Sequence, residues 1–107
     1  MSDFDPEAIY QKLSEAGEEW ADKDAAANLL EETKKTLLAE LMQGFQGSTA
    51  ERERNALADA AYKLHLTNMV SARKEANRAR VKYDAARVLA ELRRSQESTR
   101  RMEVYQR

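Results

Sequence analysis

The residues able to do chemistry are few and badly placed for it. His65 is the single histidine and the chain has no cysteine, which removes Cys-ligated zinc, thiol nucleophiles and disulfides and leaves one imidazole with no second one to share a metal or complete a triad. His65 falls between Tyr62 and Met69 on an apolar seam, the setting of a structural histidine rather than a general base. Glu18 and Glu19, and Glu31 and Glu32, are the adjacent carboxylate pairs. A carboxylate di-metal site in a helical bundle also needs Glu-x-x-His motifs on facing helices. None occurs, so these glutamates read as an exposed helix face. Gly44 and Gly47 are too sparse for a phosphate loop and lack the lysine that follows one. The expectation is a protein that is not an enzyme, with no cofactor, no metal and no small-molecule substrate.

Charge is the remaining chemistry, and it is unevenly spread. Residues 1–47 hold 4 Lys+Arg and 11 Asp+Glu, residues 48–70 hold 3 of each, and residues 71–107 hold 11 and 5. In the basic last third Arg73, Arg80, Arg87 and Arg94 recur every seven residues, with Lys74 beside the first and Arg100 and Arg101 after the last. Sevenfold spacing puts charges on one helix face, and such a face can track a phosphate backbone with Tyr83 or Tyr105 stacking on bases. These seven basic residues are the candidate nucleic-acid contacts. Glu75, Asp84, Glu91 and Glu97 interrupt the series and no recognition-helix motif is present, so accessory binding is expected rather than sequence readout. The same charge can instead pair with the acidic first third, within the chain or between subunits, and that use weighs more. The acidic face of Glu15, Glu18, Glu19, Asp22 and Asp24 is in turn a candidate surface for a protein partner, mimicking nucleic acid.

The elements carrying these residues are helices. With 42% hydrophobic and 35% charged residues over 107 positions, the chain is too apolar for disorder and too charged for a thick globular core. One small domain covering residues 1–107 follows. No apolar run approaches the roughly 18 residues that span a bilayer, and the acidic start is unlike a secretory signal. Asp5 as cap, Pro6 at the first helical position and Phe4 with Ile9 as a hydrophobic staple start a helix over about 6–43. Its seam of Ile9, Leu13, Ala16, Trp20, Lys23, Ala27, Leu30, Lys34, Leu37 and Leu41 steps by four and three, interrupted by two lysines whose stems can lie along it. Gly44 and Gly47 make a hinge over about 44–48, and Ser48 with Glu51 forms a capping box for a second helix. That helix is expected over 49–94 and as far as 104, residues 95–107 being a tail that is polar enough to fray. Its seam runs from Ala58 through Tyr62, His65, Met69, Ala72, Ala76, Ala79, Tyr83, Ala86 and Ala90.

A second apolar stripe, with Val81, Ala85, Val88 and Leu92 at its far end, lies on an adjoining face. Two stripes exceed what one partner helix needs, and the second helix outruns the first by roughly 18 residues at 1.5 Å each. The fold expected is therefore all-α, a long, coiled-coil-like antiparallel helical hairpin that dimerises into a four-helix bundle. Ala72, Ala76, Ala79, Tyr83, Val88, Leu89 and Leu92 are the candidate self-association residues.

From Leu38 to Arg101 the chain resembles a family of small helical proteins of tailed phages and prophages of proteobacteria. The resemblance is carried by Leu38-Ala39-Glu40-Leu41-Met42, by Gly47-Ser48 with Ala50-Glu51-Arg52-Glu53, by Tyr62 with His65-Leu66, by Ala72-Arg73-Lys74-Glu75-Ala76-Asn77, and by Tyr83 followed by Arg93 to Arg101. It implies an early-region protein of the bacterial cytoplasm, beside recombination and replication functions, and carries over no catalytic residue. The function expected is a non-enzymatic accessory or adaptor in DNA recombination or replication, binding DNA or a DNA-processing protein through the basic second helix. The alternatives are an inhibitor of a host defence protein, acting through the acidic face, and a purely structural coiled-coil assembly protein.

Overall fold

The computed structural model describes residues 5–106. Three helices follow one another, α1 (Pro6–Gln43), α2 (Thr49–Ala58) and α3 (Ala60–Gln106), and no strand occurs among the described residues. The fold is all-α, a long antiparallel hairpin with α1 as one arm and α2 and α3 as the other. At the start of α1, Asp5 Oδ1 accepts from the Glu7 amide at 3.1 Å, the cap expected of an aspartate before proline. The staple involving Phe4 lies outside the described residues.

At the hinge the amides of Gly44 and Phe45 donate to the carbonyls of Leu41 and Met42, tightening the last turn of α1. Arg52 reaches back from α2 and donates Nε–H to the Met42 carbonyl at 3.1 Å, satisfying one of the acceptors a helix end leaves open. Gly47 is the hinge glycine that needs its freedom, at φ 114°. Ser48 then caps α2, its Oγ accepting from the Glu51 amide at 3.2 Å.

The second arm differs from the single helix expected. Asp59 interrupts it in an extended conformation, φ −66° and ψ 139°, with its amide bonded to the Ala56 carbonyl and its carboxylate accepting from the Ala61 amide at 2.8 Å. One residue ends α2 and caps α3, with no glycine or proline involved. The break also shifts the phase of the seam: Ala56 is fully buried, whereas Ala58, expected on the seam, is exposed. At the other end α3 continues to Gln106, so residues 95–106 are helical.

Asp22–Ala76 form one compact unit, and Met1–Ala21 with Asn77–Arg107 the other. In the first, Ala27, Ala56, Tyr62 and Ala76 are buried, with Leu30, Leu37, Leu41 and Met69 half-buried around them. In the second, Ala79 and Ala90 are buried, and Trp20 packs on Tyr83 with ring centroids 5.3 Å apart at 36°. Gly17 makes room for that pair, since a Cβ there would sit 3.3 Å from the Tyr83 ring. Alanines dominate the buried set because close helix approach leaves space for little else. Apart from Ala58, the two seams are observed as spaced, with Lys23 exposed and Lys34 half-buried.

Candidate functional site

Arg73 is the most connected side chain among the described residues. Its Nε and Nη2 hold both oxygens of Glu31 at 2.9 and 3.1 Å, Nη1 donates to Asp24 at 2.7 Å, and Nη2 donates to Asn28 Oδ1 at 2.7 Å. Asp24, Asn28 and Glu31 lie four and three residues apart on α1 and present one polar row to the guanidinium. The planar fork of arginine suits this bidentate grip on a carboxylate. It holds the Glu31 carboxyl below its ordinary value of 4.5 and raises Arg73 further above its own already high one. Arg73 was a candidate nucleic-acid contact. The structure turns it onto α1 instead, where it joins the two arms of the hairpin.

The remaining basic candidates are placed differently. Lys74, Arg80 and Arg94 are exposed, and their charged groups have no ion-pair partner among the described residues. Arg87 pairs with Asp84 on its own helix at 3.9 Å and stays half exposed. Arg101 makes a comparable i,i+4 pair with Glu97 at 3.9 Å, and Arg100 is exposed. Lys82 also pairs across to α1, 3.8 Å from Glu19. Tyr83 is taken up by Trp20, while Tyr105 is 89% exposed. The sevenfold series thus divides into Arg73, which pairs across the hairpin, and Arg80, Arg87 and Arg94, which do not.

The self-association candidates divide as well. Ala76 and Ala79 are buried, and Ala72 and Tyr83 half-buried, on the face of α3 that meets α1. They build the hairpin itself, because residues already covered within one chain cannot also cover another. Val88, Leu89 and Leu92 are exposed and continue a stripe with Val81 and Ala85. That stripe lies opposite the seam rather than beside it, since at 100° per residue its positions fall about half a turn from Tyr83 and Ala90.

On α1, Glu15, Glu18, Glu19 and Asp22 are exposed, Glu19 lying 3.8 Å from Lys82, while Asp24 is half-buried against Arg73. His65 is half-buried with Nε2 2.7 Å from the Leu30 carbonyl. A carbonyl can only accept, so Nε2 carries the proton and the ring serves as a link between α3 and α1. Among the described residues no group of three His, Asp or Glu comes together as a metal cage, and no helix is long and apolar enough to cross a membrane. No family model, curated protein or solved structure matches the chain. Its surface chemistry therefore has to carry the functional reading.

Sequence reasoning missed Asn28, Arg52, Asp59 and Gly17. Asp59 had a readable signal, an aspartate ahead of Ala60, Ala61 and Tyr62, the pattern of a helix cap. Asn28 could have been found as the middle of the 24, 28, 31 polar row beside the seam. Arg52 and Gly17 act across the hairpin, and nothing local marks either.

Proposed function

We propose that this chain is a non-enzymatic accessory or adaptor protein that binds the phosphate backbone of nucleic acid through the outer flank of α3. The observation that carries this is the state of Arg80 and Arg94. They are exposed at sevenfold spacing with no ion-pair partner among the described residues, on a helix of 11 Lys+Arg and 5 Asp+Glu. Intramolecular neutralisation by the acidic arm, the competing use of this charge, reaches Arg73 and Lys82 and leaves the outer flank basic. Arg87, between Arg80 and Arg94, completes a row of one residue every two turns, about 10 Å apart. A row of point charges on a rigid rod positions a backbone without reading bases. A role in recombination or replication is the setting that the resemblance to phage and prophage proteins over residues 38–101 implies, and that setting rests on the resemblance alone.

The test is anisotropy titration of labelled single-stranded and duplex DNA over a range of salt. Affinity should fall steeply with salt, with a log–log slope set by the number of phosphates neutralised. Reversing Arg80, Arg87 and Arg94 to Glu should abolish binding and leave the circular dichroism unchanged, because none of the three holds the hairpin together. Salt-independent binding, or binding that survives the triple reversal, refutes the reading.

A further inference from the structure

Aromatic rings come onto the basic flank of α3 at two places. Tyr10 is 50% and Tyr105 89% exposed, and theirs are the exposed rings among the described residues. Trp20 and Tyr83 pack on each other, Tyr62 is buried, and Phe45 and His65 are half-buried. Building on the phosphate-binding reading above, we propose that the nucleic acid this flank takes is single-stranded, its bases stacking on Tyr10 and Tyr105 while the arginines hold the phosphates between.

The register of the hairpin places Tyr10 in the arginine row. Glu19 pairs with Lys82 and Trp20 packs on Tyr83. Counting back along α1 from these contacts, Tyr10 comes level with roughly residues 91–93, between Arg87 and Arg94. Its side is fixed in the same way, because Glu19 and Lys82 mark one flank of the helix pair. Tyr10 and Gly17 lie across the α1 seam from Glu19, and Arg80, Arg87 and Arg94 lie across the α3 seam from Lys82, so these residues share the other flank. Further along α3, Arg101 continues the sevenfold row and lines one shallow hollow with Tyr105, Val104, Arg100 and Glu97. The order along the flank is thus Arg80, Arg87, Tyr10, Arg94, Arg101, Tyr105.

A ring in such a row gains a stacking partner only where base faces are free. In a duplex the faces are stacked on one another and a surface rod meets the backbone, whereas an unpaired strand offers a face beside every phosphate. Stacking of this kind tolerates any base, in keeping with a helix that carries no base-reading motif. The charges beside the rings are available. Arg80 and Arg94 have no ion-pair partner among the described residues. Arg87 and Arg101 are more than half exposed, and their pairs with Asp84 and Glu97 are 3.9 Å long, contacts that hold an arginine weakly. A phosphate displaces them at little cost.

The experiment is anisotropy titration of the full chain with an oligothymidylate, an abasic strand and a hairpin duplex, all of equal phosphate number. The oligothymidylate should bind most tightly. Tyr10→Ala and Tyr105→Ala should each weaken it about fivefold or more, the loss expected for one stacked base. The salt slope should stay that of the wild type, since no phosphate contact is removed. Tyr10→Phe, which keeps the ring, should bind like the wild type, and circular dichroism should be unchanged in every variant because both rings are exposed. An abasic strand or duplex bound as tightly as the oligothymidylate, or wild-type affinity in either alanine variant, overturns the single-strand assignment and leaves the phosphate-binding reading standing. Binding of none of these probes overturns both.

Discussion

Arg73 and Glu31 couple the stability of the hairpin to pH and salt. The Glu31 carboxyl is lowered first by the hydrogen bond from Arg73, with the guanidinium charge adding to it and desolvation and Asp24 opposing it. A carboxyl depressed in the folded state stabilises fully above its ordinary value of 4.5 and loses that contribution as pH falls through the folded value. Melting temperature followed against pH should therefore show wild type above Glu31→Gln at neutral pH, with the two curves converging in acid. The side chains of this network are 31% to 43% exposed, so the gap should also shrink in high salt, as screening removes much of what an exposed pair gains. Gly17 is the second sensitive residue. Gly17→Leu should push the Tyr83 ring off Trp20 and destabilise by about 1–3 kcal/mol, the usual result of overfilling a packed contact. Trp20 is the single tryptophan, so its fluorescence reports that displacement directly.

At the scale of elements, the two interruptions of the chain differ in kind. The hinge depends on Gly47, whose φ of 114° disfavours a side chain and whose added Cβ would meet the Glu51 carboxylate at 2.5 Å. Gly47→Ala should cost more than about 1 kcal/mol in chemical denaturation. The break at Asp59 depends on a side-chain cap instead. Asp59→Ala should cost about 0.5–2 kcal/mol through the lost bond to the Ala61 amide, and Asp59→Asn, which keeps an acceptor, should recover most of it. Both variants can be read by urea titration of the far-ultraviolet signal. A continuous helix would carry Ala58 rather than Ala56 toward α1. The break thus fixes which face of α2 is buried.

For the whole molecule, the central fact is how little is buried. Among the described residues six hydrophobic ones form the core, five of them alanines, and alanine adds little burial free energy because it has little side chain to remove from water. From the sequence alone, the helical class, the start of α1 at Pro6, the hinge and both seams could be read, because they follow from local signals: caps, glycines and the four-three spacing of apolar residues. The basic row could be read too, as charge on one face of a helix. What its members do could not. Arg73 and Arg80 are alike in type and heptad position, and only the opposing arm, which places Asp24, Asn28 and Glu31 against Arg73 and gives Arg80 no ion-pair partner among the described residues, separates a hairpin clamp from an exposed charge. The same holds for the apolar stripes. Spacing shows that each exists, but only the tertiary arrangement, by covering Ala76 and Ala79 and leaving Val88 and Leu92 in water, decides which one the hairpin uses for itself.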